Sequence, residues 1–241
     1  MGSEINEGVY GAEISALAGL FDAQPDFGAS EARHFITAKP EDGRLFWTAP
    51  VGFYQAPGDL QATFSEIYAR GVWRGGSGAV SNVENAVLYA AYLQHLIRKP
   101  GVRSIVDLGC GDWRFTKHID FGNCDYLGVN IVQDVVERNQ AAYGTARVRF
   151  VCSDITKFEI PACDLLVSKD VLQHLSNAHV QKVLTRMAVA QTALVTNDFH
   201  PVNRDCGDDD TRPLDPTAPP FHWQAEPRLA FSGKVAFLAR R

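Results

Sequence analysis

Arg103-Ser104-Ile105-Val106-Asp107-Leu108-Gly109-Cys110-Gly111-Asp112-Trp113 reads as a short buried strand that stops at a carboxylate, turns on two glycines and enters a helix. Ile105, Val106 and Leu108 make the compact apolar run of a parallel strand covered on both faces. Gly109 and Gly111 let the backbone turn sharply and let a ligand approach where a Cβ would obstruct it. The expected helix would offer that ligand its free N–H groups and the positive end of its dipole. A lone Gly-x-Gly is common, so the weight of this stretch depends on what surrounds it.

The surroundings are those of an ordinary globular chain, 241 residues long, with 46% hydrophobic and 21% charged residues. One domain with a decorated end fits this length. A net charge of −5 argues against a nucleic-acid partner, because neutralising phosphates requires a basic face. No apolar run approaches the roughly 18 residues of a membrane span, so no membrane partner is expected. The start, Met1 to Asn6, is acidic rather than basic and apolar, unlike a signal peptide. Cys110, Cys124, Cys152, Cys163 and Cys206 are odd in number and never at Cys-x-x-Cys spacing. They read as small buried thiols in a reducing cytoplasm, with neither a disulfide framework nor a zinc site.

Along the chain, residues 1–81 read as an extension or lid and 82–241 as the core. Glu13 to Phe21 and Ala29 to Ala38 are expected short helices, followed by prolines and dense aromatics that need a surface to pack on. Asp59 to Arg70 carries Leu60, Phe64, Ile67 and Tyr68 on one helical face and stops at Gly71. The loop Arg74-Gly75-Gly76-Ser77-Gly78 is rich enough in glycine to form a concave row of N–H groups. Ser81-Asn82-Val83-Glu84 has the spacing of a capping box, opening a helix that runs to about Lys99. From Arg103, strands and helices alternate: a helix from Asp112 to Ile119, strands at 126–129, 148–152, 164–168 and 193–196, helices at 132–142 and 177–191, and a last strand near 233–238. This alternation predicts a mostly parallel sheet with helices on both faces, binding its ligand beyond the carboxyl ends of the strands.

Two cofactor classes use such a sheet. A dinucleotide site wants a third glycine, where this chain has Arg114 preceded by the bulky Trp113. S-adenosylmethionine carries no phosphate and wants a carboxylate near its ammonium, for which Asp107 is placed. Four segments together resemble the class I S-adenosylmethionine-dependent methyltransferases: Val106–Gly111, Tyr126–Asn130, Cys152–Ile155 and Val167–Leu175. They occur in family order and spacing over roughly residues 73–198 and imply a Rossmann-like fold.

The resemblance also implies a site. Gly109 and Gly111 would pass under the methionine part and ribose, and Asp107 would face the ammonium. Asn130, with Ile131 beside it, stands where the family carries an acid that holds both ribose hydroxyls. Asp154 would accept from the adenine amino group while the Ile155 N–H faces a ring nitrogen. Trp73, Ser77, Trp113 and Lys169 complete the expected cofactor-binding set. Where the fourth and fifth strands end, Asp170 and His174 are the candidate catalytic groups, beside Asn197, Asp198 and His200. No metal is expected, and Asp208-Asp209-Asp210 reads as a solvated acidic loop. The expected activity is methyl transfer to O, N or S of a small molecule, roofed by the amino-terminal region and the 197–223 loop with Phe221, His222 and Trp223. The alternatives are a protein or peptide acceptor, and a cofactor-binding pseudoenzyme or partner subunit; a homodimer is left open.

Overall fold

The computed structural model describes residues 4–22, 59–73, 76–78, 81–208 and 210–241. The expected helix at Ala29 to Ala38 and most of the expected lid lie outside them.

Seven strands form one sheet in the order β3-β2-β1-β4-β5-β7-β6. They are β1 Ser104–Leu108, β2 Asp125–Asn130, β3 Val148–Cys152, β4 Leu165–Lys169, β5 Thr192–Asp198, β6 Glu226–Phe231 and β7 Lys234–Arg240. The first five pair in parallel, and β7 runs antiparallel to both β5 and β6. This is the Rossmann-like arrangement of the class I methyltransferase fold. β6 was not foreseen.

Helices cover both faces: α1 Glu4–Asp22, α2 Leu60–Arg70, α3 Val83–Ile97, α4 Gln133–Tyr143 and α5 Asn177–Arg186. One apolar layer joins Ile14 of α1, Tyr89, Leu93 and Leu96 of α3 and Val136 of α4 to Ile105, Val167 and Leu194 of the sheet. The other joins Val180, Val183 and Leu184 of α5 to Val106, Leu108, Leu166 and Val195. Alternate residues of each strand therefore serve opposite layers, as the period of two requires. α1 is longer than the expected Glu13 to Phe21 and packs along α3, with Ile14 and Ala18 fully buried.

α2 ends as its sequence suggests. Asp59 caps Gln61 N–H at 3.0 Å, and Gly71 closes the helix in the left-handed region at φ 62°. The capping box before α3 does not form. Ser81 Oγ donates to the Ser77 carbonyl, Glu84 accepts from Tyr10 at 3.0 Å, and Asn82 takes the cap position with its Oδ1 accepting from Arg114 rather than from the helix. The helix expected at Asp112 to Ile119 is also absent, leaving a single 3-10 turn at Thr116–His118. Trp113, at φ 62°, is left-handed and prevents a helix from starting there. The anion-binding helix start imagined behind the glycine turn does not exist.

Downstream, two expectations about the long loop change. Asp208 and Asp205 accept from the Ser176 and Asn177 N–H groups, so these acids cap the start of α5 rather than face only solvent. Asp209 lies outside the described residues. Phe221 is buried in the α5 layer and Trp223 packs against it, so neither is a free roof.

Gly109 sits at φ 82°, and a Cβ there would stand 2.3 Å from Val171 Cγ2. Gly109→Ala combines left-handed strain with overpacking and should cost about 2–4 kcal/mol in urea unfolding. Adding Val171→Ala should return the packing part and leave the backbone part.

Candidate active site

The carboxyl edge of the sheet gathers the expected residues in two groups. The first surrounds the glycine turn. Asp107, the fourth residue of β1, is buried, and its Oδ2 accepts from the Tyr126 hydroxyl at 2.7 Å. Tyr126 in turn accepts from the Trp113 indole N–H at 2.9 Å. Burial pushes the Asp107 carboxyl up to about 6, against the opposing influence of the Tyr126 hydrogen bond and the Lys169 charge. Its charge is thus undercompensated, the state that favours an incoming cation.

Trp113 was expected to touch a cofactor. The structure sets its ring in the core, stacked on Phe121 at 5.8 Å and in contact with Tyr143 and Phe150. From there it orients Tyr126 and, through it, Asp107.

Gly111, at φ 58°, has room for a hydrogen only, because a Cβ would stand 2.5 Å from Ser77 Oγ. Ser77 fastens its own loop to the turn. Its N–H donates to Asp112 Oδ2 at 3.1 Å, and its Oγ accepts from the Asp112 N–H at 2.8 Å. Arg114 pairs with the same Asp112 carboxylate at 2.8 Å.

At the ends of β2 and β3 stand Asn130 and Asp154. Asn130 is buried, and its Oδ1 accepts from the Val132 N–H at 2.9 Å, opening α4. Ile131 follows it, half-buried, with its carbonyl accepting from Cys152 Sγ. Asp154 Oδ1 accepts from both the N–H and the hydroxyl of Thr156, so this residue closes a turn. Burial works to raise its pKa, but these bonds and Lys157 bring it below the usual carboxylate range. Ile155 is buried against the α5 layer.

The second group is an ion network at the tips of β4, β5 and β7. Asp170, left-handed at φ 58°, places its carboxylate between two ammonium groups. Lys169 Nζ reaches Oδ2 at 2.5 Å, and Lys234 Nζ reaches Oδ1 at 2.8 Å as an ion pair without hydrogen-bond alignment. Lys234 also binds Asp198 Oδ1 at 2.5 Å. Three of these side chains are under 10% exposed, whereas that of Asp198 is 41% exposed. Burial works to raise the Asp170 pKa, but the two lysines prevail and hold it below its usual range. Burial works to lower that of Lys234, but Asp170 and Asp198 raise it. Lys169 also lies 5.7 Å from the Tyr89 ring centre and 5.6 Å from that of Phe115. Lys234 was not anticipated. It comes from the last strand, and only the β5–β7 pairing, which sets it opposite Asp198, brings it here.

His174 stands beside this network. Its ring packs 5.1 Å from Trp73 and 6.5 Å from Phe64 of α2. Nδ1 lies 3.2 Å from the Asp210 carbonyl oxygen and 2.9 Å from Thr211 Oγ1. A carbonyl only accepts, so the neutral ring carries its proton on Nδ1 and keeps its lone pair on Nε2. Burial lowers the His174 pKa, with the Asp210 carbonyl, Asp170 and Asp198 opposing it. Nearby on β5, Thr196 Oγ1 and Asn197 Nδ2 are buried without a hydrogen-bond partner. Among the described residues, His200 bonds within its own loop, to Val202.

Among the described residues no cluster of three or more His, Cys, Asp or Glu side chains could hold a metal ion, and no helix is long and apolar enough to cross a membrane. Asp107, the two left-handed glycines and the polar residues ending β2 and β3 form a row along the edge. They fit S-adenosylmethionine: a buried, undercompensated carboxylate for its ammonium and turns without Cβ atoms for its backbone-close passage.

Residues 105–191 match the family model described as a methyltransferase domain. A phosphoethanolamine N-methyltransferase of Triticum aestivum is 30% identical over 90 residues, which make up 35% of this chain and 18% of that protein. The matched stretch thus spans under a fifth of the curated relative. An O-methyltransferase family protein from Burkholderia thailandensis aligns over 66% of this chain and 57% of its own, with 12% identity and a TM-score of 0.49. Human N-acetylserotonin methyltransferase in complex with SAM aligns over 76% and 62%, with 16% identity and a TM-score of 0.47. Over residues 105–191 the chain is thus similar to the S-adenosylmethionine-dependent methyltransferases, and its cofactor is S-adenosyl-L-methionine.

Proposed function

We propose that the protein transfers a methyl group from S-adenosyl-L-methionine to an O, N or S atom of a small molecule. The observation that carries this reading is the buried carboxylate of Asp107 beside two left-handed glycines, at the carboxyl edge where the first strand meets its neighbours. Asp107 takes the ammonium of the cofactor, Gly109 and Gly111 admit its methionine and ribose parts, and Asn130 and Ile131 border the ribose. Asp154 and Ile155 meet the adenine, while Ser77, Trp73 and Lys169 bound the methionine end. When bound, the cofactor supplies an electrophilic methyl group whose displacement disperses charge, so alignment and exclusion of water do most of the work.

The acceptor lies over the tips of β4 and β5. Asp170 is a weak candidate for a base, because both of its oxygens face ammonium groups that keep it ionised. It serves instead as a fixed anion that orients the acceptor side. His174 is the better proton acceptor: neutral, held through Nδ1 and free to use Nε2. The five free thiols fit a cytoplasmic setting.

S-adenosylmethionine and S-adenosylhomocysteine should each raise the melting temperature at millimolar concentration; no shift with either sinks the reading. Asp107→Asn should abolish the shift. Because the Asp107 carboxyl titrates near 6 and must be ionised to hold an ammonium, a proton competes with the cofactor. Affinity measured by calorimetry should therefore fall as the pH drops below about 6. In the second group, Lys234→Met leaves Asp170 and Asp198 short of a cation. It should cost about 3–5 kcal/mol in urea unfolding at pH 7. The penalty should shrink toward pH 4, where the buried Asp170 of the variant takes up a proton while the lysine-held carboxylate of the parent remains ionised.

A further inference from the structure

The end of β2 is short of hydrogen-bond acceptors. A ribose presents two neighbouring O–H groups, and a carboxylate facing them would offer about four lone-pair sites. Asn130 offers two on its single oxygen, and that oxygen already accepts from the Val132 N–H at 2.9 Å. The same bond fixes which way the amide points, with its oxygen toward the start of α4 and its NH2 group turned away. Position 130 therefore presents donors where a diol also needs acceptors.

An acceptor stands next to it on α2. The Tyr68 hydroxyl reaches the Asn130 side chain and lies 2.7 Å from Ser77 Oγ. It also lies 4.0 Å from the point where a Cβ of Gly111 would stand. The glycine turn, Asn130, Ser77 and Tyr68 thus border one small volume. Burial pushes the Tyr68 phenol up to about 12, so it remains a neutral hydroxyl at any working pH, with one lone pair left to accept beside the Asn130 amide donor. The helix that carries it is fixed at both ends, by the Asp59 cap and the left-handed Gly71. The aromatic contact of Tyr68 with Trp73, at 5.6 Å, limits the swing of its ring.

We propose that Tyr68 is a cofactor-binding residue, whose phenolic oxygen accepts the ribose O–H that a carboxylate at position 130 would accept. The assignment rests on the S-adenosylmethionine reading and makes α2 part of the cofactor site. Ser77 Oγ, bonded to Tyr68, orients that hydroxyl.

The test is calorimetric titration with two ligands: S-adenosylhomocysteine, and its analogue in which both ribose hydroxyls are replaced by hydrogen. The parent protein should bind the analogue at least about tenfold more weakly. Tyr68→Phe should bind S-adenosylhomocysteine roughly tenfold more weakly than the parent, yet distinguish the two ligands by only about twofold. The discrimination between the two ligands is a ratio measured on one protein, so a general loosening of the fold cancels from it. Asn130→Asp in the Tyr68→Phe background should restore the discrimination, because it returns an acceptor. Full discrimination by Tyr68→Phe alone overturns the role of Tyr68 and leaves the cofactor reading intact. Absence of binding by the parent overturns the cofactor reading, and this assignment with it.

Discussion

The site depends on a buried carboxylate that a ladder of two aromatic side chains keeps in place. Trp113 donates to Tyr126 and Tyr126 donates to Asp107, all three inside the protein. A lone carboxylate in such surroundings would protonate or draw in water. One aligned hydroxyl positions it without offsetting its burial, and that residual demand is what suits it to the ammonium of the proposed reading. The ladder also accounts for the left-handed Trp113. Only a sharp break after the glycines turns the indole back under β2, and the same break rules out the helix that the residues after the turn would otherwise form.

Much of this architecture could be read in the chain. The strands β1 to β5 are short, apolar and bounded by turn residues, so their positions followed within a residue or two. β6 was missed because Glu226, Pro227 and Arg228 spoil its alternation, and the strand is a half-buried edge. A signal was present nonetheless: Ser232-Gly233 between two apolar runs is a two-residue hairpin, and both residues are left-handed, at φ 47° and 77°. The acids at 205–210 were misread for a different reason. Capping by a residue about 30 positions away leaves no local pattern, since its partners are bare N–H groups.

The two halves of the site were legible to different degrees. Asp107, Gly109 and Gly111 are neighbours in sequence, and their roles follow from local conformation. The charge network draws on β4, β5 and β7, so no window of sequence contains it. Asp170 looked like a free acid because its two lysines are invisible at that scale, one being adjacent but of unknown direction and the other 64 positions on. Tyr68 was counted as one more apolar residue of a helix face. Its hydroxyl gained meaning only when α2 was found lying across the glycine turn.

The place of Lys234 in the chain bears on assembly. It opens β7, the last of the seven strands in chain order, yet it supplies one of the two cations that neutralise Asp170 and a cation that neutralises Asp198. Until β7 pairs with β5, the tips of β4 and β5 carry an excess of negative charge that keeps them hydrated. The five parallel strands can collapse before that moment, but their carboxyl edge cannot dry out. The charged edge at the tips of β4 and β5 is therefore completed last of the sheet, by the arrival of one ammonium group.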